Sequence, residues 1–555
     1  METIQPAGSL SMKPISARTE GWSRLSVIAG ASLWMLLVCN RAFWVRLMDG
    51  RDMTRPDELL FMGAVALLLL MLLNMLGGVL AVGRLLKPLL VALLLLAAAC
   101  SGFVDRYGIA IDRSMVQNVF ETDAAESLEL LDAGLLAWLL FAGVLPAVWV
   151  VRARLRPSTV RAAFARRVVF VFANGLVASA LLALFSAGFA SEIRNDRGLR
   201  YQFNPLNALY STWRYAQPHR AAAEVVPVGR DAKRTASGDV RGPAVFVLVV
   251  GETARAEDFS LGGHERQTNP RLQAEDVFYF SEVSACGTST AVSLPCMFSD
   301  LGRDGFSETA MRGRENLLDV LARAGLDVLW VDNNSGCKGL CARVRSEQPS
   351  GSDHPRHCRD GECHDEVLVD SLRHHLGTLR RDTVIVLHQK GSHGPAYWRR
   401  YPPEFERFTP VCRTVNLDDC TLDSLHNTYD NTILYTDHVL SETIGALQHA
   451  TGVGATAMLY VSDHGESLGE KGIYLHGAPR AVAPAVQYRV PMIFWASPAF
   501  MSLSGLKAAC LDARTRTPFS HDNLFHSVLG VLDVRTGAYR APLDVFAPCR
   551  AGARA

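Results

Sequence analysis

The distribution of apolar residues is the feature that most constrains this chain. Five apolar runs lie before about residue 190, at 25–44, 59–82, 89–104, 133–151 and 168–190. Most are long enough to cross a bilayer as helices; the short third run is extended by Leu85 and Leu86 across Lys87, whose ammonium can reach the headgroups. Buried soluble helices are the alternative. We interpret the runs as five membrane spans, the first an uncleaved anchor because it carries no small-residue cleavage site.

The charges between the spans predict their orientation. The segment between the fourth and fifth runs carries Arg152, Arg154, Arg156, Arg161, Arg166 and Arg167, whereas the segment between the third and fourth carries Glu121, Asp123, Glu126 and Glu129. Arginine-rich loops stay in the cytoplasm. The N-terminus is therefore expected in the cytoplasm, and everything after residue 190 on the opposite side of the membrane. The formal net charge of +1 names no partner.

Cysteine usage supports an external location for the second half of the chain. Cys39 and Cys100 lie in apolar runs, and the other ten cysteines all follow residue 280. An even number suits disulfides in an oxidising compartment. Proximity in sequence suggests the pairs Cys286–Cys296, Cys337–Cys341, Cys358–Cys363 and Cys412–Cys420, leaving Cys510–Cys549, although the sequence leaves the connectivity open. A zinc ribbon is the competing interpretation, but the spacings do not repeat a C-x-x-C knuckle.

Composition divides the chain into three segments. Residues 1–200 form the predicted transmembrane domain with five helices, and residues 201–242 an interfacial segment and linker that contains Tyr201, Trp213, Arg214 and Tyr215. In residues 243–550, short β-branched or apolar runs at 245–250, 328–331, 383–387, 458–461 and 492–495 alternate with helical stretches. This pattern predicts an α/β domain with a largely parallel, buried sheet.

Polar residues follow these strands, where the binding crevice of an α/β sheet lies. They are Glu252 after the first strand, Asn334 and Lys338 after the second, His388 and His393 after the third, and Asp463 and His464 after the fourth. Glu252, Asp463 and His464 offer two carboxylates and an imidazole. This set fits a catalytic zinc with an open position better than magnesium, while manganese remains open. Taken alone, an Asp or Glu after a strand is more often a helix cap, and it is the three residues together that favour a metal site.

The segment between Cys286 and Cys296 carries Thr290 among small hydroxyl residues. Thr290 is either an ordinary helix N-cap or a nucleophile in a tight, anion-facing turn. A threonine hydroxyl needs activation near neutral pH, and coordination to a metal supplies it while stabilising charge on a phosphoryl oxygen. A Cys286–Cys296 bridge would restrain this loop or serve a purely structural role.

An ordered set of motifs spans nearly the whole chain. It comprises VGETAR at 250–255, TNPR at 268–271, residues 286–299, DNNS at 332–335, HGPAY at 393–397 and SDHGESLGE at 462–470. With these motifs the chain resembles the phosphoethanolamine transferases that modify lipid A, members of the alkaline phosphatase and sulfatase-like superfamily. The absence of Cys-x-Pro-x-Arg disfavours a sulfatase, which makes its formylglycine from that motif.

The resemblance implies roles for individual residues. Thr290 would be the nucleophile that carries phosphoethanolamine, and Glu252, Asp463 and His464 would join it around zinc, with further ions left open. His393, His476, Asn334 and Lys338 would surround the phosphate or a second metal, one histidine acting as acid or base. Taken alone, His476 is equally a hydrogen-bonded loop histidine, and Lys338 a solvated charge. Asn118, Thr122 and Glu126, which share one helical face, would hold the donor headgroup unless that helix simply lies on the membrane.

The hypothesis is an inner-membrane, monomeric transferase with its catalytic domain in the periplasm. It would move phosphoethanolamine from phosphatidylethanolamine to a lipid A phosphate in two steps, release diacylglycerol, and confer resistance to cationic peptides such as polymyxin. The alternatives are transfer to another lipopolysaccharide or glycan acceptor, a phosphoglycerol transferase, and a noncatalytic sensor that binds zinc and anionic lipid.

Overall fold

The structure is a computed structural model that describes residues 21–48, 51–80, 83–108, 111, 113–121, 130–186, 189, 199–216, 225–234, 242–349, 354–359 and 362–550. The chain forms two compact units. Unit 1 comprises Met1–Asn40, Met48–Ala99 and Trp138–Glu192, and unit 2 comprises Arg41–Leu47, Cys100–Ala137 and Ile193–Ala555. Parts of the apolar N-terminal region therefore belong to each unit.

The apolar runs, and the segment 113–121 between the third and fourth runs, form helices. These are α1 (Arg24–Val38), α2 (Arg41–Met48), α3 (Pro56–Leu80), α4 (Leu86–Tyr107), α5 (Arg113–Glu121), α6 (Ala133–Trp138), α7 (Leu145–Arg152) and α8 (Val160–Leu184). Among the described residues, four stretches are long and apolar enough to cross a membrane: Pro56–Leu80, Gly83–Tyr107, Ala133–Arg152 and Val160–Leu184. Helices α1 and α2 meet at a 57° bend and add a fifth stretch if the pair is one span. The predicted five-helix region is confirmed on that count, with its first run bent.

Small residues and one polar pair join the helices of unit 1. A Cβ added at Gly77 would lie 2.7 Å from Ile28 Cγ2, and one at Gly78 would lie 2.8 Å from Val171 Cγ2. Between α3 and α8, the Asn74 amide donates a hydrogen bond to Asn174 Oδ1 at 3.1 Å. Lipid gives apolar helices no hydrophobic reason to associate, so close packing and polar contacts must hold them.

Besides the parts of the N-terminal helices that fall within its bounds, unit 2 contains the helices after residue 200 and an eight-stranded sheet. The helices are α9 (Leu206–Ala216), α10 (Thr290–Met297), α11 (Gly302–Gly305), α12 (Glu308–Arg312), α13 (Leu317–Arg323), α14 (Glu366–Leu376), α15 (Leu422–Gln448), α16 (Pro498–Ser504), α17 (Ala508–Arg514) and α18 (Leu524–Val531). The strands are β1 (Ala244–Gly251), β2 (Phe278–Ser284), β3 (Asp327–Asp332), β4 (Arg345–Glu347), β5 (Thr383–His388), β6 (Ala455–Ser462), β7 (Arg489–Ala496) and β8 (Phe519–Ser520).

The sheet has the order β8-β2-β7-β6-β1-β5-β3-β4. All neighbouring strands pair in parallel except β7, which runs antiparallel to both β2 and β6. Strands β1, β5 and β6 are buried along their whole length, as their nearly uninterrupted apolar sequences require of strands covered on both faces. The predicted α/β fold with a largely parallel central sheet is confirmed.

Part of the segment predicted as an interfacial stretch and linker, 201–242, has regular structure. It contains α9, and Lys233–Arg234 pairs antiparallel with Val534–Arg535 near the C-terminus. The exposed aromatic side chains of α9 include Tyr210 and Trp213. The boundaries drawn at 200 and 242 and the interfacial role remain predictions.

All five cysteine pairs suggested by sequence proximity are bonded in the structure. They are Cys286–Cys296, Cys337–Cys341, Cys358–Cys363, Cys412–Cys420 and Cys510–Cys549. Cys39 and Cys100 form no disulfide bond. Four of the bridges close short loops, which limits the conformations of the unfolded chain and stabilises the loops around the sheet.

Candidate active site

The carboxyl ends of four neighbouring strands bring the predicted polar residues together. Glu252 follows β1, Asp463 and His464 follow β6, Asn334 follows β3, and His388 is the last residue of β5. Strands β6, β1, β5 and β3 are adjacent and mutually parallel, so their carboxyl ends meet at one edge of the sheet. The binding crevice of an α/β sheet lies at such an edge.

Glu252, Asp463 and His464 form a cluster in which the three ligand atoms lie within 4.8 Å of one another. His464 Nε2 is 3.2 Å from Glu252 Oε1 and 3.4 Å from Asp463 Oδ2. The other ring nitrogen of His464, Nδ1, is 2.9 Å from the carbonyl oxygen of Gly465 and donates to it. This contact orients the ring and keeps Nε2 directed at the two carboxylates.

The donor set fits a divalent metal ion. Glu252 Oε1 and Asp463 Oδ2 are buried, and neither accepts a hydrogen bond from any described residue. Buried carboxylate oxygens normally have hydrogen-bond donors or cations opposite them. Two carboxylates and one imidazole that converge in this way could bind a divalent metal ion and leave a coordination position open.

The electrostatics of the cluster also favour a cation. Burial lowers the pKa of His464, but the attraction of Asp463 and Glu252 outweighs burial and raises it to about 10. Burial, reinforced by repulsion from Glu252, raises the pKa of Asp463 to about 6. The two carboxylates thus compete for one positive partner, and a dication would satisfy both.

Thr290 lies beside this cluster. Its Oγ1 is 2.9 Å from Glu252 Oε2 and 3.3 Å from His464 Nε2. Thr290 is the first residue of α10, and the preceding Ser289 is extended and makes no side-chain cap. The Cys286–Cys296 bridge closes the loop and helix around it. At Gly287, a Cβ would lie 2.7 Å from Val292 Cγ1, so the turn requires glycine.

His393 and His476 lie close to each other and to the metal cluster. Their rings are 5.3 Å apart, and the ring of His476 is 4.5 Å from that of His464. His476 Nδ1 is 3.3 Å from the buried carboxylate of Glu466. Two histidines beside Thr290 and the carboxylates can supply or accept protons, or bind a further cation.

Asn334 and Lys338 occupy different positions around the cluster. The Asn334 amide donates to Glu252 Oε2 at 2.7 Å and to the carbonyl oxygen of Gln389 at 2.9 Å, so it orients a metal ligand directly. Lys338 Nζ donates to Ser335 Oγ at 3.0 Å. It lines a cavity of about 380 Å³ together with Gln117, Ala291 and Pro295.

Of the residues expected to hold the donor headgroup, Asn118 lies in α5, but its side chain is outside the described part of the structure, as are Thr122 and Glu126 altogether. Helix α5 lies against α10, the helix that Thr290 begins. Its Gln117 side chain, one residue before Asn118, lines the cavity beside α10. The headgroup assignment remains a prediction.

Sequence reasoning did not predict several contacts that support the site, made by His388, Tyr429 and His521. The buried His388 ring contacts Asp332 at 2.9 Å and the Asn334 amide at 3.3 Å. Thr253, next to Glu252, has a positive φ of 52° and is held by the Tyr429 hydroxyl, which donates to its carbonyl oxygen at 2.6 Å. His521 bridges the Thr290 loop and the end of β6. Position at a strand end was a signal for His388, whereas Tyr429 and His521 had no local one.

A second cluster in unit 2 comprises Asp258, His264 and Asp430, whose ligand atoms also lie within 4.8 Å of one another. Arg255 Nε is 2.7 Å from Asp258 Oδ2, and Arg266 Nη1 is 2.9 Å from Asp430 Oδ2. Each carboxylate thus already has a guanidinium partner. This cluster is an ion-pair network rather than a metal site.

Comparison with known families agrees with this architecture. The family model described as Sulfatase matches residues 244–534, and the one described as "Phosphoethanolamine transferase EptA/EptB" matches residues 69–220. The first therefore covers the sheet and the metal cluster, and the second most of the apolar helices.

Individual relatives match over most of their length. Phosphoethanolamine transferase EptA of Escherichia coli K12 is 42% identical over 471 residues, which are 84% of this chain and 86% of the relative. Phosphatidylethanolamine transferase Mcr-1 of Escherichia coli is 36% identical over 536 residues, 93% and 97% of the two chains. The integral membrane lipooligosaccharide phosphoethanolamine transferase A of Neisseria meningitidis superposes with a TM-score of 0.91 at 36% identity, covering 95% of this chain and 98% of that one.

Proposed function

Because this chain belongs to the phosphoethanolamine transferase family, we propose that it transfers phosphoethanolamine from phosphatidylethanolamine to a phosphate of lipid A through a phospho-threonine intermediate. The observation that carries the proposal is the 2.9 Å contact between Thr290 Oγ1 and Glu252 Oε2, inside a cluster of buried metal-ligand side chains. A nucleophile beside an activating group is what covalent phosphoryl transfer requires.

In the first step, Thr290 Oγ1 forms a bond to the phosphorus of phosphatidylethanolamine. The bond from phosphorus to the glycerol oxygen breaks, and that oxygen takes a proton and leaves as diacylglycerol. In the second step, a phosphate oxygen of lipid A attacks the same phosphorus, the bond from phosphorus to Thr290 Oγ1 breaks, and that oxygen recovers the proton it lost in the first step. Two steps allow two bulky lipids to occupy the site in turn.

The cluster residues hold the catalytic metal, which we propose is one zinc ion bound by Glu252, Asp463 and His464 beside Thr290. Bound zinc would lower the pKa of the threonine hydroxyl and neutralise charge on the phosphoryl oxygens. Asn334 keeps the Glu252 carboxylate oriented for this task. The choice of zinc follows from the mixed oxygen and nitrogen donors.

We assign the proton transfers to His393 and His476, one of which would protonate the leaving glycerol oxygen. Lys338, in the cavity beside α10, would attract the phosphate of an incoming lipid. Asn118, Thr122 and Glu126 would bind the ethanolamine headgroup.

The proposed location is the bacterial inner membrane, with residues 243–550 in the periplasm and the enzyme acting as a monomer. The disulfides and the arginine-rich segment between the last two apolar runs support this orientation. The product gains an amine and loses net negative charge, which weakens the binding of cationic peptides such as polymyxin.

The test uses the full-length enzyme with fluorescent phosphatidylethanolamine. Thr290→Ala should abolish diacylglycerol release, and Ser289→Ala, which removes the neighbouring hydroxyl that caps nothing, should retain it. Diacylglycerol release by folded, zinc-loaded Thr290→Ala would refute the nucleophile. Mass spectrometry of Thr290 after incubation with mixed phospholipids separates phosphoethanolamine from phosphoglycerol transfer, because the adducts differ in mass. Analysis of modified lipopolysaccharide then distinguishes lipid A from another glycan acceptor.

A further inference from the structure

His521 connects the loop of the proposed nucleophile to the strand that ends at the metal cluster. Its Nδ1 is 3.2 Å from the backbone nitrogen of Cys286, and its Nε2 is 3.0 Å from the carbonyl oxygen of Ser462. The side chain is buried. We propose that His521 is a positioning residue that sets the distance between Thr290 and the metal ligands.

The two partners determine how the imidazole must be protonated. The backbone nitrogen of Cys286 can only donate, so Nδ1 carries a lone pair, and the Ser462 carbonyl oxygen can only accept, so Nε2 carries the proton. A neutral ring in this tautomer satisfies both contacts at once. Burial lowers the pKa of His521 to about 4, so the ring stays neutral at physiological pH.

At one end, the contact fixes the Thr290 loop. Cys286 lies four residues before Thr290, and its disulfide reaches Cys296 in the last turn of α10. Holding the Cys286 backbone therefore restrains both sides of the nucleophile, because the bridge transmits its position to the far end of the short helix.

At the other end, the contact fixes the turn that follows β6. Ser462 directly precedes Asp463, and its hydroxyl donates to the carbonyl oxygen of His464 at 2.9 Å. The same hydroxyl accepts from the backbone nitrogen of Ala254, two residues after Glu252, at 2.9 Å. Ser462 thus contacts the segments that carry all three proposed metal ligands.

His521 is itself held by local structure. It begins a short 3₁₀ turn, His521–Asn523, directly after β8, and Ser520 and Asn523 form a capping box across that turn. Strand β8 pairs in parallel with β2, whose last residue lies two positions before Cys286. The turn and the strand before it therefore hold the imidazole in place, so that it positions its neighbours rather than adapting to them.

The inference rests on the proposed role of Thr290. Moving a reacting group by about 1 Å costs on the order of 10²-fold in rate. Loss of the two His521 contacts should therefore lower kcat for diacylglycerol release by about 10²-fold. The KM for phosphatidylethanolamine should change little, because His521 is buried and is not among the residues that line the cavity beside α10.

The chain offers a matched control in His526. His526 is also buried, and its Nδ1 likewise accepts a hydrogen bond from a backbone nitrogen, that of Arg540, at 3.2 Å. Among the described residues, no hydrogen bond joins His526 to the Thr290 loop. Replacing either histidine by phenylalanine removes the ring nitrogens and puts a somewhat larger aromatic ring in a buried position. A general loss of stability should therefore appear in the thermal unfolding of both variants.

The experiment compares His521→Phe, His526→Phe and Thr290→Ala in the full-length enzyme. It measures zinc content, thermal unfolding, and kcat and KM for diacylglycerol release from fluorescent phosphatidylethanolamine. The expected result is a large kcat loss in His521→Phe per folded, zinc-loaded molecule, and a kcat close to wild type in His526→Phe. Equal kcat values for the two phenylalanine variants would overturn the positioning role. Retained release in Thr290→Ala would instead overturn the proposed nucleophile.

Two polar variants keep the test decisive if His521→Phe does not fold. His521→Asn places an acceptor near the Nδ1 position, and His521→Gln places a donor near the Nε2 position. Each should recover part of kcat by restoring one of the two contacts. If both polar variants match wild type in zinc content and stability and neither lowers kcat, His521 does not position Thr290 for the reaction.

Discussion

Unit 2 contains two clusters of carboxylate and imidazole groups with similar spacing, Glu252–Asp463–His464 and Asp258–His264–Asp430. They differ in what surrounds the carboxylates. Arg255 and Arg266 each contact one carboxylate of the second cluster, whereas among the described residues the carboxylates of the first have only the imidazole of His464 as an ion-pair partner and a threonine hydroxyl beside them. Proximity of ligand atoms alone therefore does not identify a metal site; the local charge balance does.

The largest difference between the clusters should appear on removing one aspartate from each. Asp463→Asn should release zinc and lower transferase activity by more than about 10²-fold, because a ligand matters more than its supporting contacts. Asp430→Asn, at an equally buried position, should leave the zinc content unchanged. Metal analysis of both purified variants is the measurement. Loss of zinc from Asp430→Asn would show that the second cluster also binds the ion.

A smaller effect is expected from the amide that supports the first cluster. Asn334→Ala removes the donor to Glu252 Oε2 and should weaken zinc affinity by about 10- to 100-fold. The neighbouring Asn333 donates to Asp365 instead, so Asn333→Ala should keep the wild-type zinc affinity. Competition with a fluorescent zinc chelator measures both. Similar affinities for the two variants would remove Asn334 from the metal site.

Tyr429 lies between the clusters, next to Asp430 in sequence and in contact with Thr253. Tyr429→Phe leaves the Thr253 carbonyl oxygen and the Arg255 backbone nitrogen without their partner, at a cost of about 1–3 kcal/mol in unfolding free energy. It should also weaken zinc binding modestly, because Glu252 precedes Thr253. Tyr435→Phe, in the same helix, removes a buried hydroxyl that contacts Glu366 and should cost stability without affecting zinc. Chemical unfolding and zinc titration separate the two effects.

The smallest effect concerns the pH dependence of the second cluster. The hydrogen bond that the His264 ring donates to the Asp430 carboxylate raises the pKa of His264 above its ordinary value of 6.5, against burial, with Asp258 adding to the rise and Arg266 opposing it. The stability contributed by His264 is therefore complete below about pH 6.5 and is lost as the pH rises through the raised pKa. The melting temperature of His264→Phe should fall below wild type more at pH 6 than at pH 9. A difference independent of pH would contradict this linkage.

Local patterns in the sequence predict the parts of the site that depend on neighbouring residues. The apolar run before Glu252 identifies a buried strand, and the position of a polar residue after such a strand places it in the crevice. Short spacings likewise identify the pairs Cys337–Cys341 and Cys358–Cys363. In each case only a few residues separate the two features, so the chain can place them relative to each other in few ways.

Contacts between distant segments were not predictable in the same way. Nothing near Tyr429 or His521 in sequence marks either as a partner of the site, because their partners there lie between 59 and 235 residues away. The antiparallel direction of β7 between β2 and β6 depends on how the long loops fold, and an apolar run does not encode direction. The neutralisation of Asp258 and Asp430 by arginines is likewise a property of the folded chain.

The amide pair between Asn74 and Asn174 bears on how the apolar segments find one arrangement. Sliding α3 along α8 by one helical turn would separate the two side chains by about 5.4 Å and leave the Asn74 amide group without its acceptor, Asn174 Oδ1. Two leucine-rich helix surfaces can pack at many axial offsets, whereas the hydrogen bond between the two asparagines forms at only one of them. The Asn74–Asn174 hydrogen bond therefore selects one register of α3 relative to α8 when the helices assemble in the bilayer.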